Sequence, residues 1–237
     1  MLPGFSLVVP AYNEADRIGR TLTEAIEYLT KNSIESEVIV VDDGSSDNTA
    51  AVARDVFTRA GQIEARLMER SPNGGKGAAV RAGLLAATRP IGLFSDADLS
   101  TPIEEARKLL EPIVAGELDV AFGSRALDRK LIGNRQPWRR EQAGRLFNLL
   151  VRASTGLPFW DTQCGFKAFR LDVFRPVLAS AESDGFGFDV ELLYLAGKAG
   201  LRMREIPVRW NHFDGSKVHF FRDSLRMLRE VAALRLG

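Results

Sequence analysis

The chain has 237 residues, enough for one sizeable core without demanding two. Hydrophobic residues make up 45% and charged residues 27%, a globular balance that excludes a disordered or fibrous chain. A formal net charge of +1 excludes general affinity for nucleic acid or anionic surfaces, so any electrostatic specialisation must be local.

Short β-branched runs alternate with longer amphipathic segments from the start of the chain. Phe5 to Val9 precedes Arg17 to Leu29, Glu37 to Val41 precedes Asn48 to Ala60, and Ala65 to Met68 precedes Gly77 to Ala87. Ile91 to Phe94, Ile103 to Ala115 and Leu118 to Phe122 continue the rhythm. Strands of continuous Val, Ile and Leu are buried on both faces, so this pattern predicts an α/β fold with a mainly parallel sheet between helices. Ligands then belong at the carboxyl ends of the strands. Beyond Arg125 the rhythm gives way to a basic stretch, a helix around Glu141 to Ser154, a Gly-rich connection, and helices near Val190 to Ala199 and Phe221 to Leu234. The expectation is one domain over 1–237 with two functional halves, a first half (1–124) that carries the strand-end signals and an acceptor half (125–237).

The polar signals sit at strand ends. Asp96 and Asp98 are two apart after the fourth strand, where extended backbone sends both side chains to one side. Paired carboxylates repel unless a cation joins them, and oxygen ligands suit Mg²⁺ or Mn²⁺ held partly by diphosphate. A turn capped by Ser100 or Thr101 explains the local structure but not two extra acids. Asp42 and Asp43 precede Gly-Ser-Ser-Asp, a tight turn leading to a helix capped by Asp47 or Asn48; a carboxylate there can also accept a base N–H. Asn73-Gly74-Gly75-Lys76-Gly77 is neither a Walker A loop nor a dinucleotide fingerprint, because Gly77 and Val80 stand where those motifs need Ser or Thr and Gly. Lys76 either touches a diphosphate or serves a flexible helix entry.

From Arg125 to Arg152 eight basic residues face two acids, for a local net of +6. Guanidinium groups such as Arg125, Arg139 and Arg140 can bind a phosphate with paired hydrogen bonds. Cys164 is the single cysteine, so no internal disulfide forms, which suits a reducing, cytoplasmic setting. Neither His212 nor His219 has a partner at zinc spacing. No apolar run is long enough to span a bilayer and no signal peptide is evident. The last segment places Phe221, Leu225, Leu228 and Ala232 on one helical face with Arg222, Arg226 and Arg229 nearby, a helix that lies on a membrane surface or docks on the sheet.

As a set, Val-Val-Pro-Ala-Tyr-Asn-Glu, Val-Asp-Asp-Gly-Ser-Ser-Asp, Asn-Gly-Gly-Lys-Gly-Ala-Ala and Asp-Ala-Asp-Leu-Ser resemble glycosyltransferase family 2, whose members adopt the GT-A fold. Downstream, Gly123-Ser124-Arg125, Asp161 to Lys167, Phe188 to Glu191 and Gly215 to Val218 resemble the branch of dolichyl-phosphate and polyprenyl-phosphate β-glucosyltransferases. The resemblance implies that Pro10, Tyr12, Glu14 and Asp43 hold the uridine of UDP-glucose. It implies a metal on Asp96 and Asp98 beside the diphosphate, and it puts Arg125, Lys167 and Lys217 toward the sugar and a lipid-phosphate acceptor. Ser100 stands where the related mannosyl branch carries Gln, and the N-terminal anchor of the eukaryotic lipid enzymes is absent from this sequence.

A phosphate acceptor is already ionised and needs charge management more than a base; Asp98 and Arg125 then carry the chemistry. A neutral hydroxyl would require a base, for which Asp189 or Glu191 is the candidate, unless these acids only cap or line the following helix. The rival readings are a family 2 enzyme acting on a soluble or glycan hydroxyl, and a non-catalytic nucleotide-sugar binding module. The expected partners are a nucleotide-sugar donor, a lipid-phosphate acceptor and a membrane surface or membrane-protein partner at the cytoplasmic face, with no nucleic acid.

Overall fold

Ser6–Ala11 forms β1 and Glu37–Asp42 forms β2, and every residue of both strands is buried. In this computed structural model, residues 3–32, 34–134 and 138–212 are described, without the side chains of 138–141. Lys217, His219 and the helix expected over 221–234 lie outside the described residues, as do the side chains of Arg139 and Arg140.

The βα alternation is present as β1, α1 (Ala15–Lys31), β2, α2 (Thr49–Phe57), β3 (Glu64–Glu69), α3 (Lys76–Ala86) and β4 (Ile91–Ser95). A 3₁₀ turn at Ile103–Glu105 runs into α4 (Ala106–Val114), followed by β5 (Val120–Ser124) and α5 (Trp138–Thr155). Then come β6 (Phe166–Arg170), α6 (Leu171–Ser180), α7 (Phe188–Lys198) and β7 (Met203–Pro207). The seven strands lie in the order β3-β2-β1-β4-β6-β5-β7. The sheet is mainly parallel, but β6 runs antiparallel to both β4 and β5, with Phe94 opposite Lys167 and Ala121 opposite Ala168.

Alternation along each strand divides the core into two layers. Leu7, Val9, Val38 and Val40 pack with Ile18, Leu22 and Leu109 on one face. Val8, Ile39 and Val41 pack with Val80, Leu84 and Phe174 on the other. The second layer is thin where α3 crosses β1 and β2. A Cβ on Gly83 would lie 2.4 Å from Val8 Cγ1, so only glycine lets the helix come this close. That close approach fixes Lys76, the first residue of α3, beside the end of β4.

The carboxyl ends of β1, β2, β4 and β5 share one edge of the sheet. Because β6 is reversed, the segment that enters it, Asp161 to Gly165, reaches the same edge. A parallel strand in that position would have put Gly165 at the opposite edge.

Candidate active site

The first two loops at this edge lock together through Asn13, whose φ is +54°. Its backbone N–H donates to Ser45 Oγ at 2.8 Å, and its side-chain oxygen accepts from the N–H groups of Ser46 and Asp47 at 2.8 and 3.3 Å. Glu14 N–H donates to Thr49 Oγ1, and Ala15 N–H to Asp47. Asp47 also accepts from Thr49 N–H, so it, rather than Asn48, terminates the backbone of α2. Pro10 sits past the last pairing of β1 with β4, at Val8 and Phe94, where a missing N–H costs no ladder bond on that side. Tyr12 is 45% exposed at the mouth, and Glu14 pairs with Arg17.

Asp43 is turned inward. It is buried, and its two oxygens accept from Arg70 at 2.8 Å, from Gly74 N–H at 3.1 Å and from Gly75 N–H at 2.6 Å. Little acceptor capacity is left for a base N–H. Asp43 therefore clasps the loop that presents Lys76, whereas the local turn after β2 is closed by Asp42, whose Oδ1 accepts from Ser45 N–H at 3.3 Å. Gly75 has φ +97°, and a Cβ there would meet Asp184 O at 2.3 Å, so this loop requires glycine.

Asp96 and Asp98 both occupy the mouth beyond β4. Asp98 Oδ1 accepts from Ser100 N–H at 2.9 Å, a local turn bond that leaves its other oxygen available. Asp96 N–H donates to Gly165 O at 3.0 Å, and the Asp96 carboxylate lies over the Gly165 Cα. Asp96 Oδ1 is buried and accepts no well-directed hydrogen bond, but Lys76 Nζ stands 2.6 Å away. Burial works against the Lys76 ammonium, yet Asp96, Asp189 and Asp98 outweigh it and hold its pKa above the ordinary lysine value. Among the described residues no group of three or more His, Cys, Asp or Glu converges on a metal-binding geometry. Two hard carboxylates beside an under-bonded buried oxygen fit a divalent ion completed by diphosphate oxygens and water, the usual manner of Mg²⁺.

Beneath this pair lies a second one. Lys167 is fully buried; its ammonium donates to Asp189 Oδ1 at 2.5 Å and to Cys164 O at 2.6 Å. Burial pushes the Asp189 carboxyl up, against the pull of Lys167 and Lys76. The expectation that Lys167 meets the acceptor phosphate is corrected here: no face of its ammonium reaches solvent, because Asp189 and Cys164 O engage it inside the core. Asp189 is likewise committed to Lys167. Glu191, the other base candidate, accepts from the N–H groups of Glu182 and Ser183 at 2.9 and 2.8 Å and lines the α7 loop. Burial raises the Cys164 thiol to about 12, an inert group.

Arg125 follows β5 and is clamped by Asp161, which accepts from its backbone N–H and, at 2.7 Å each, from Nε and Nη2. Burial opposes the Arg125 charge, but Asp161 and, more weakly, Asp96 raise its pKa, which joins this residue electrostatically to the mouth beyond β4. Asp161 leaves Nη1 as the edge for a ligand. That edge belongs to a cavity of about 620 Å³ whose described lining includes Arg125, Arg129, Arg145 and Arg152. Leu127, Ile132, Leu149, Trp160 and Trp210 supply its apolar wall. Arg152 stacks over Trp160 at 3.8 Å, and Glu205 holds the rim by accepting from Trp160 N–H at 2.8 Å and from the Ser124 hydroxyl. Arg129, Arg145, Arg152, Asp161 and Trp160 were not singled out as site residues from sequence. The basic run was visible, but which arginines converge depends on α5 folding back over β5.

Comparison with known proteins agrees with this geometry. The chain is 39% identical to a dolichyl-phosphate β-glucosyltransferase of Drosophila melanogaster, over 95% of this chain and 72% of that protein. It is 32% identical to the protein of the same name from Dictyostelium discoideum, over 97% of this chain and 73% of the relative. Among solved structures, glucosyl-3-phosphoglycerate synthase from Mycobacterium tuberculosis, in complex with Mn²⁺, UDP and glucosyl-3-phosphoglycerate, superposes with a TM-score of 0.69 at 23% identity. That match covers 98% of this chain and 78% of the synthase, and it shows the GT-A fold. The sequence profile described as Glycosyl transferase family 2 matches residues 6–178, and with these relatives it establishes that the chain belongs to that family.

Proposed function

We propose that the protein is an inverting hexosyltransferase that moves glucose from UDP-glucose to the phosphate of a polyprenyl or dolichyl lipid, using Mg²⁺ or Mn²⁺. The names of the fly and Dictyostelium relatives support the sugar and the acceptor, and the Mn²⁺ and UDP of the mycobacterial synthase support the cation and the nucleotide. The observation that carries the acceptor assignment is the cavity: four arginines on an apolar and aromatic wall suit a phosphate joined to a hydrocarbon. Its one described acid, Asp161, is bound to Arg125, so no carboxylate in the described lining is free to deprotonate a hydroxyl.

In this reading Asp96 and Asp98 would hold the cation, and when bound it would supply charge stabilisation for the departing UDP. Tyr12 and Glu14 flank the nucleotide, with Pro10 shaping the strand end and Asp43 holding the loop that carries Lys76. Lys76 lies within reach of the diphosphate. Arg125, oriented by Asp161, and its three neighbours hold the acceptor phosphate for in-line attack. One phosphate oxygen forms the bond to the anomeric carbon as the bond to UDP breaks, and UDP keeps the electron pair. No proton has to be removed, so Asp189 need not act as a base. Every described residue lining the cavity is numbered 125 or higher, which supports a donor half and an acceptor half within one domain. The inferred place of action is the cytoplasmic face of a membrane, where a soluble nucleotide sugar meets a lipid phosphate.

The test supplies radiolabelled UDP-glucose with polyprenyl phosphate in vesicles, or with phosphoglycerate or glycerol in solution, each with Mg²⁺, Mn²⁺ or chelator. Label is expected in the organic phase, dependent on the divalent ion. Label in a water-soluble product, or full turnover in chelator, would overturn the acceptor or the metal assignment respectively.

A further inference from the structure

The solvent side of α5 is apolar. Successive stripes along this helix divide cleanly by spacing of four and three. Phe147, Val151 and Thr155 are buried against the protein, and Arg145, Leu149 and Arg152 line the cavity. The third stripe, Leu146, Leu150 and Ala153, faces outward, with Leu146 59% and Leu150 40% exposed. Leu149 is 58% exposed at the edge between the last two stripes, and Leu127 and Trp160 are 46% and 56% exposed beside them. A surface helix ordinarily turns charged side chains outward, so a leucine stripe edged by arginines marks a contact surface.

We propose that the outer face of α5 docks on an anionic lipid bilayer and thereby sets the mouth of the arginine cavity against the lipid headgroups. The inference rests on the lipid-phosphate reading above. Drawing an isoprenoid chain through water costs free energy with every methylene, so an enzyme for such an acceptor must bring its site to the bilayer. The surface is continuous with the cavity through Leu149, so an acceptor can engage the arginines while its hydrocarbon stays in lipid. Arg129, Arg145 and Arg152, with exposed Lys130, match negatively charged headgroups, and Trp160 suits the polar boundary of a bilayer. Among the described residues no helix is long and apolar enough to cross a membrane, so attachment through this face is interfacial.

The experiment measures co-sedimentation of the full chain with phosphatidylcholine vesicles, with or without phosphatidylglycerol, and with no polyprenyl phosphate present. Wild type is expected to bind the anionic vesicles and to be released by salt. L146E/L150E, which alters side chains outside the cavity lining, is expected to bind at least tenfold more weakly. The same variant should glucosylate a dispersed ten-carbon isoprenyl phosphate at the wild-type rate. Equal vesicle binding by variant and wild type would overturn the proposal, as would no binding by either. So would a concentration-dependent dimer of the wild type that L146E/L150E abolishes, because the leucines would then meet a second copy. Vesicle binding without transfer to any isoprenyl phosphate would instead defeat the acceptor reading and leave the membrane surface standing.

Discussion

Where Gly165 would carry a methyl group, the Asp96 carboxylate already lies: a Cβ there would fall 2.0 Å from Oδ2 and 2.2 Å from Cγ. Gly165→Ala should therefore push Asp96 aside without unfolding the chain, because Asp96 is partly exposed and can swing toward solvent. Turnover is expected to fall by about 100-fold, the order of loss that accompanies a misplacement of 1 Å or so. Calorimetry should show weaker Mn²⁺-UDP binding with an unchanged circular dichroism spectrum; wild-type affinity would refute the positioning role. Asp96 and Asp98 were legible in the sequence because their two-residue spacing at a strand end has a geometric meaning. Asp43 was less so, since an acid after a strand can serve turn amides as well as a ligand, and here the amides of Gly74 and Gly75 take it. Asp161 heads one of the segments that carry the family resemblance, yet nothing local marks it or Glu205 as a hydrogen-bond anchor. Their partners, Arg125 and Ser124, are 36 and 81 residues away in the chain.

The nine elements expected through Phe122 are all present, because continuous apolar strands and amphipathic helices each leave a period in the sequence. Those missed are β6, α6 and β7. Phe166 to Arg170 is a five-residue strand interrupted by Lys167, a charge that reads as a loop or site residue until its buried partner Asp189 is known. Leu171 to Ser180 contains Pro176, which argues against a helix locally, and Met203 to Pro207 alternates with only partial burial. Strand order is held at the other end of the sheet by Glu37 of β2, fully buried, which accepts from Ser6 of β1 and from Thr88 ahead of β4 and pairs with Arg66 of β3. Burial alone would raise its pKa, but the bonds from Ser6, Thr88 and Arg66 win and lower it from 4.5 to about 2. The ionised carboxylate thus contributes stability above pH 4.5 that is lost as pH falls toward 2. Glu37→Gln should cost about 1–3 kcal/mol at neutral pH and flatten the acid limb of a urea-midpoint series. An unchanged acid limb would remove Glu37 from that role.

Near-neutral overall charge conceals a local separation: Asp96 and Asp98 lie at the mouth beyond β4, and four arginines line the cavity beyond β5. Removing Arg145 and Arg152 together should raise the KM for lipid phosphate by tenfold or more, at about 1.5 kcal/mol for each lost charged hydrogen bond, while UDP affinity stays constant. Steady-state kinetics beside UDP titration separates the two, and parallel losses would mean that the halves are not independent. The concentration of arginines was readable from the basic run, whereas the cavity that gathers four of them depends on how α5 folds back, which no spacing encodes. The Lys76–Asp96 contact carries the matter further. An ammonium already stands against the buried Asp96 Oδ1, so under the proposed mechanism the cation would arrive with the donor's diphosphate rather than ahead of it. EDTA alone should leave the melting temperature in place, whereas Mn²⁺ with UDP should raise it. An enzyme of that kind would take up metal with each donor and release it with each UDP, so its pace would follow the free divalent-ion level around it.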